Sequence, residues 1–258
     1  MGLLVLQKGS VQKLSEHIED YPDGIIIVLD KPYRWTSADA VRKIKFALQK
    51  QFHNHKLKVG HAGTLDPLAT GVLLICVGKA TKLAETLQAE KKAYIAKIIL
   101  GATTPSFDKE HPIDKYYPHE HITLERVNQD IAALEGEQDQ VPPSFSAKFV
   151  DGVRAYDIAR GGEDIVLKPS RVTIYSAKLL SASGLEGSKC TTPENLPELS
   201  VDISCSKGTY IRSIARDLGQ ALGSGGYLSG LVRRASGGYI LDNAISIEQF
   251  EQIVHIAQ

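Results

Sequence analysis

Two unbroken apolar runs constrain this chain most: Gly24-Ile25-Ile26-Ile27-Val28-Leu29 and Val72-Leu73-Leu74-Ile75-Cys76-Val77. Neither alternates polar with apolar, and both are short and rich in branched side chains. Runs of that length and composition read as strands buried on both faces. Asp30-Lys31-Pro32 ends the first. No run reaches eighteen apolar residues, so no membrane span is expected.

The other elements mix without a regular rhythm. Thr36-Ser37-Ala38-Asp39 has the form of a capping box, and Val41, Ile44 and Leu48 follow at helical spacing. Ala80 to Gln88 predicts a short helix. Tyr94, Ala96, Ile98 and Leu100 alternate along a strand. Val127, Ile131 and Leu134 mark a helix; Val172–Tyr175 and Leu199–Cys205 mark strands. Ile211, Ile214, Ala215, Leu218 and Leu222 line a helix that begins just past Gly208. Two stretches, 102–121 and 141–163, read as irregular excursions. Strands and helices in this order, without βαβ repeats, point to an α+β fold. At 258 residues the chain is expected to form one domain, 1–258.

Charge is distributed unevenly beneath a formal net charge of zero. Ala40 to Gly60 holds six Lys and Arg residues and no acid, whereas 102–140 holds nine acids against three bases. Read as pattern alone, the basic stretch is either a solvated helix face or a face for a polyanion. Cys76, Cys190 and Cys205 are odd in number and far apart, which fits a reduced, cytoplasmic protein without a disulfide framework. The N-terminus lacks the basic start and cleavage site of a secretion signal.

Gly60-His61-Ala62-Gly63-Thr64-Leu65-Asp66-Pro67-Leu68-Ala69-Thr70-Gly71 packs three glycines and a lone Asp-Pro into one loop. Pro67 holds Asp66 extended, and the glycines allow sharp turns and close approach. Asp66 therefore either closes an Asx-turn or is offered to a bulky partner. A single carboxylate argues against glycoside hydrolysis. His53, His55, His111, His119 and His121 lack zinc spacing and read as solvated loop residues. No nucleotide-cradling glycine motif appears. A second constellation is Ser206-Lys207-Gly208-Thr209-Tyr210-Ile211-Arg212, where a strand ends and a helix begins. Arg212 there is either a surface residue or the partner of an anion.

With Asp30-Lys31-Pro32, Lys92-Ala93-Tyr94, Val141-Pro142-Pro143 and Ser146-Ala147 in the same order, these motifs resemble the TruB family of tRNA pseudouridine synthases, over roughly Gly24 to Gln249. The resemblance implies a mixed, mostly antiparallel sheet flanked by helices with an RNA cleft. It implies isomerisation of uridine to pseudouridine in the T-loop of tRNA, at position 55 of tRNA, on the motifs quoted from this chain. By the same resemblance Asp66 is the catalytic aspartate, Tyr94 the active-site tyrosine and Arg212 the basic partner of the aspartate. His61 helps to capture the flipped nucleotide, Lys31 stands at the start of the site and Leu231 lines an apolar pocket; all three are counted among the RNA contacts. Tyr210, beside Arg212, is counted among the RNA contacts. Two departures stand out: Arg34 occupies a position where the family commonly has glycine, and the chain stops where many relatives continue into a small RNA-binding PUA domain, so no such domain is expected here.

The implied reaction breaks the bond between base and ribose, turns the base and rejoins it through carbon. Nothing is oxidised, so neither cofactor nor metal is expected. The target must be flipped out of folded tRNA, at a cost of a few kcal/mol. Tyr94 is placed to stack on it, and Lys43 and Lys45 of the basic segment are expected to hold phosphates. The rival is a module that refolds the T-arm without chemistry, which leaves Asp66 without a purpose. The T-arm of tRNA is the expected partner, with no membrane, no protein partner and a monomeric state.

Overall fold

A computed structural model of the protein describes residues 2–10, 13–146, 149–150, 153–154, 167–185 and 195–254. The expectations for Ala147, for Cys190 and for most of the 141–163 excursion beyond Ser146 lie outside these residues. In chain order the elements are β1 (Leu4–Leu6), β2 (Ile25–Lys31), α1 (Ser37–Gln51), β3 (Val59–Ala62), β4 (Ala69–Val77), α2 (Ala84–Ala89), β5 (Lys92–Leu100), β6 (Ala102–Thr103) and β7 (Lys115–Tyr116). There follow α3 (Leu124–Ala132), β8 (Gly136–Gln140), β9 (Phe149–Val150), β10 (Val153–Arg154), β11 (Ser170–Ser183), β12 (Glu198–Cys205), α4 (Ile211–Ala221), β13 (Gly226–Ser236), β14 (Tyr239–Ile240) and α5 (Ile247–Ile253). Strands and helices are mixed as expected for α+β. Of the strand pairs with a described register, only β1 with β2 is parallel.

The chain forms two compact units, Met1–Ala93 with Val232–Gln258, and Tyr94–Leu231. In the first, β2 pairs along its whole length with β4, from Ile25 opposite Val77 to Lys31 opposite Gly71. β3 pairs with the last residues of β4, from Val59 opposite Val77 to Ala62 opposite Leu74. Ile26, Val28, Leu74 and Cys76 pack with Ala62, Ala80 and Ala244 on one face. Ile25, Ile27, Leu29, Leu73 and Ile75, of opposite parity, are equally buried. Burial on both sides is why these strands carry no polar alternation. α1 packs on β3 through Ile44, Ala47 and Leu48. Its capping box is formed: Thr36 accepts from the Asp39 amide, and Asp39 returns the bond to the Thr36 amide. Such a cap stabilises a helix start by about 1 kcal/mol.

The second unit is built on β11, which pairs with β12 on one side and β8 on the other, both antiparallel. α4 buries Ile211, Ile214, Ala215 and Leu218, the expected stripe. Gly219 lets it approach closely: a β-carbon there would stand 2.4 Å from the Gly226 nitrogen. Tyr210 is the N-cap rather than part of the first turn. The 102–121 excursion contains a small hairpin, β6 with β7. His119 within it is buried, which corrects the reading of a solvated residue; its ring lies against Gly101. The solvated reading rests on the missing zinc spacing, which says nothing of packing: the His119 ring is buried against Gly101, and its carbonyl accepts from the Ile122 amide at 3.0 Å.

Candidate active site

β3 and β4 are antiparallel neighbours, so residues 63–68 form the tip of a hairpin, and Asp66 sits on it. Gly63 and Gly71 adopt left-handed conformations, with φ of 91° and 100°. At Gly71 a β-carbon would lie 2.3 Å from the backbone oxygen of Arg233, so only glycine fits. Gly60 is different: it lies within β3 with open space around it, and neither turning nor close approach requires it.

The loop is fastened residue by residue. Arg233, buried, donates from Nη2 to the Gly63 carbonyl at 3.0 Å, from Nη1 to the Thr64 carbonyl at 3.3 Å and from Nε to the Val72 carbonyl at 2.7 Å. Ser37, at the start of α1, accepts from the Leu65 amide at 2.9 Å and donates to the Leu65 carbonyl at 3.1 Å. Lys31, also buried, donates to the carbonyls of Pro32 at 2.9 Å, Trp35 at 2.6 Å and Pro67 at 3.3 Å. Lys92 caps α2 through the carbonyls of Leu87, Gln88 and Glu90, with its stem near Gly63. Guanidinium and ammonium donors thus satisfy carbonyls that a partly buried hairpin tip would otherwise leave unpaired.

Burial pushes the Lys31 ammonium down from the usual lysine range to about 8; the Asp66 carboxylate is the strongest influence opposing that shift, and Arg233 adds to it. The sequence reading placed Lys31 among the RNA contacts. Its side chain is fully buried and its donors face backbone carbonyls, so in this structure it supports the loop from beneath. Arg233 was missed altogether. Val232-Arg233-Arg234-Ala235 lies in a strand, where neighbours face opposite ways: Arg234 is exposed and Arg233 points inward.

The turn between β2 and α1 adjoins the same loop. The Arg34 amide donates to the Pro67 carbonyl at 2.8 Å. Arg34 has φ of 65°, the left-handed region. That explains why a glycine suits this position, and why an arginine here carries a strain of about 1 kcal/mol or more.

In the second unit Arg212 is buried, with Nε 3.7 Å from a carboxylate oxygen of Asp108 and Nη1 donating to the Ser106 carbonyl at 3.2 Å. Asp108, itself buried, accepts from the Ser106 hydroxyl at 2.6 Å and the Glu110 amide at 2.9 Å. The surface alternative for Arg212 is therefore wrong. Asp108 was hidden from sequence reading among the acids of the 102–140 stretch. The Tyr210 backbone is held at both polar atoms by the Gln140 side chain, at 2.8 and 3.2 Å. Val141 of the Val-Pro-Pro motif accepts from the Ser213 hydroxyl at 2.8 Å and from Arg216 at 3.0 Å. Tyr94 is buried on β5, and Leu231 is half-buried on β13.

His61 lies half-buried on β3, and its buried Nδ1 finds no hydrogen-bond partner among the described residues. Burial, with the Arg233 charge second, lowers its basicity below the usual histidine range. Lys43 pairs with Glu251 of α5 at 2.5 Å, so its charge is already shared; Lys45 is half-buried. Cys76 and Cys205 are buried and in no disulfide, and burial pushes the Cys76 thiol up to about 11. Among the described residues no three His, Cys, Asp or Glu side chains cluster as a metal site, and no helix is long and apolar enough to cross a membrane.

Comparison with known proteins identifies the family. Residues 49–211 match the family model described as TruB family pseudouridylate synthase, N-terminal domain. The chain is 49% identical over 233 residues to tRNA pseudouridine synthase B of Phocaeicola vulgatus, covering 90% of this chain and 94% of that one. It is 38% identical over 229 residues to the protein of that name from Clostridium kluyveri, covering 89% of this chain and 72% of the other. Among solved structures, the crystal structure of a Cbf5–Nop10–Gar1 complex matches with a TM-score of 0.63 and 27% identity, over 90% of this chain and 54% of that chain. The chain belongs to the TruB family of pseudouridylate synthases.

Proposed function

We propose that this protein isomerises uridine to pseudouridine in the T-loop of tRNA, acting in the cytoplasm as a monomer, with Asp66 as its catalytic carboxylate. The observation that carries this reading is the fastening of the hairpin tip. Arg233, Ser37 and Lys31 hold the backbone on both sides of Asp66, at Gly63, Thr64, Leu65 and Pro67. A backbone fastened on both sides of Asp66 fixes the position from which its carboxylate is presented, as a reacting group requires. The names of the relatives point to tRNA as the substrate class.

The chemistry balances within one nucleoside. The bond from N1 of uracil to the sugar carbon breaks, the base turns, and C5 bonds to the same carbon. C5 gives up its proton and N1 takes one, so nothing is oxidised. A group must hold one fragment while the other turns, and Asp66 fills that role. Tyr94 supplies a ring for the flipped base; such stacking stabilises a base by roughly 1–3 kcal/mol. Arg212 supplies the reaction's cationic side chain and is positioned by Asp108. His61, half-buried on β3, helps to receive the displaced nucleotide.

The test is direct. Purified protein is incubated with T-arm RNA, and pseudouridine is mapped chemically at each uridine. One modified T-loop uridine is expected. Tight binding with no modified uridine would favour a module that only refolds RNA.

A further inference from the structure

Tyr33 and Arg34 form an exposed pair beside the Asp66 hairpin that no structural need explains. Tyr33 is 52% exposed, and the Arg34 guanidinium carbon lies 5.6 Å from its ring centroid. Arg34 also stands exposed. Its backbone has φ of 65°, where glycine is unstrained and a β-carbon is not. Its amide donates to the Pro67 carbonyl, and that bond needs no side chain. Among the described residues its guanidinium makes no hydrogen bond and no ion pair. Inside the fold, then, the arginine side chain contributes only a contact with another exposed side chain. Glycine would make the same turn with less strain.

Strain retained at an exposed position points to a ligand. The pair's chemistry narrows the class. A planar guanidinium suits a phosphate, which it binds with two parallel hydrogen bonds. An exposed ring beside it suits an unstacked base. We propose that Arg34 takes a backbone phosphate of the RNA strand carrying the target uridine, and that Tyr33 stacks on a base of that strand. The pair thereby sets substrate affinity next to the catalytic loop. This inference rests on the RNA-modifying reading above.

The test compares wild type with Arg34→Gly, Arg34→Lys, Tyr33→Phe and Tyr33→Ala on T-arm RNA. Arg34→Gly relieves the backbone, so its thermal midpoint is expected to equal or exceed that of wild type. Its affinity is expected to fall about tenfold, with the loss in KM rather than kcat. The slope of log affinity against log salt should shrink by about 0.7–0.9, one phosphate contact. Arg34→Lys should keep the slope while recovering only part of the affinity, and Tyr33→Phe should behave as wild type where Tyr33→Ala does not. If wild type modifies T-arm RNA while Arg34→Gly keeps full affinity and slope, the pair is no substrate contact. If wild type neither binds nor modifies that RNA, the underlying reading fails and the pair's role falls with it.

Discussion

The Lys31 ammonium lies 3.3 Å from the carbonyl oxygen of Pro67, the residue that follows Asp66. The Arg34 amide reaches the same oxygen at 2.8 Å. The Asp-Pro step is thus tied to the end of β2 and to the turn beyond it. Burial holds Lys31 down to about 8, well below a free lysine. Between that value and the unfolded value near 10.5 the unfolded chain binds more protons than the folded one. Stability from this group therefore rises with pH across that window, by something on the order of 3 kcal/mol. Urea unfolding of wild type and Lys31→Met from pH 7.5 to 10.5 should show wild type gaining on the variant. Parallel curves would mean that Lys31 titrates normally.

Arg233 reaches the carbonyls of Gly63, Thr64 and Val72 from three separate nitrogens of a planar fork, a spread that the one nitrogen of a lysine at this position does not reproduce. Arg233→Lys should fold, with stability lower by roughly 1–3 kcal/mol from the carbonyls left unpaired. The loosened hairpin should lower kcat by about a hundredfold, the scale of a 1 Å misplacement. Affinity for RNA should stay within threefold, roughly 0.7 kcal/mol. Equal kcat in the lysine variant would remove Arg233 from any positioning role.

The glycines of the hairpin should separate cleanly. Gly71→Ala meets the Arg233 backbone and a forbidden φ together, so it should cost roughly 3 kcal/mol or more. Gly60→Ala meets open space and should change stability by less than about 1 kcal/mol. Urea midpoints at equal m-values decide it; similar midpoints for the two variants would contradict the geometry.

Asp108 is the residue through which Arg212 is held in its own unit. Asp108→Asn keeps shape but removes the charge, and leaves a buried guanidinium less compensated. A kcat loss of about tenfold or more is expected, with RNA affinity nearly unchanged. Loss of affinity with intact kcat would place Asp108 in binding instead.

Much of this was legible in the sequence, for identifiable reasons. β2 and β4 are buried on both faces, so their runs are unbroken, and the Thr36–Asp39 box is a local pattern with a local cause. The hairpin tip was legible because left-handed turns and close approach demand glycine at Gly63 and Gly71. β8 was not, because Gly-Glu-Gln-Asp-Gln is polar and becomes a strand only by pairing with β11. β13 was hidden by its serines, glycine and arginines, and Arg233 with it, since a buried arginine looks like a surface one until its carbonyls are known. Lys31 was misplaced for the same reason.

The central claim is that a single, rigidly held carboxylate performs the reaction. The measurement is turnover of T-arm RNA by purified Asp66→Asn, prepared free of host synthase, with pseudouridine mapped at each uridine. No pseudouridine is expected, while RNA affinity stays within about tenfold, roughly 1.4 kcal/mol. Measurable, reproducible turnover by that variant would contradict the account.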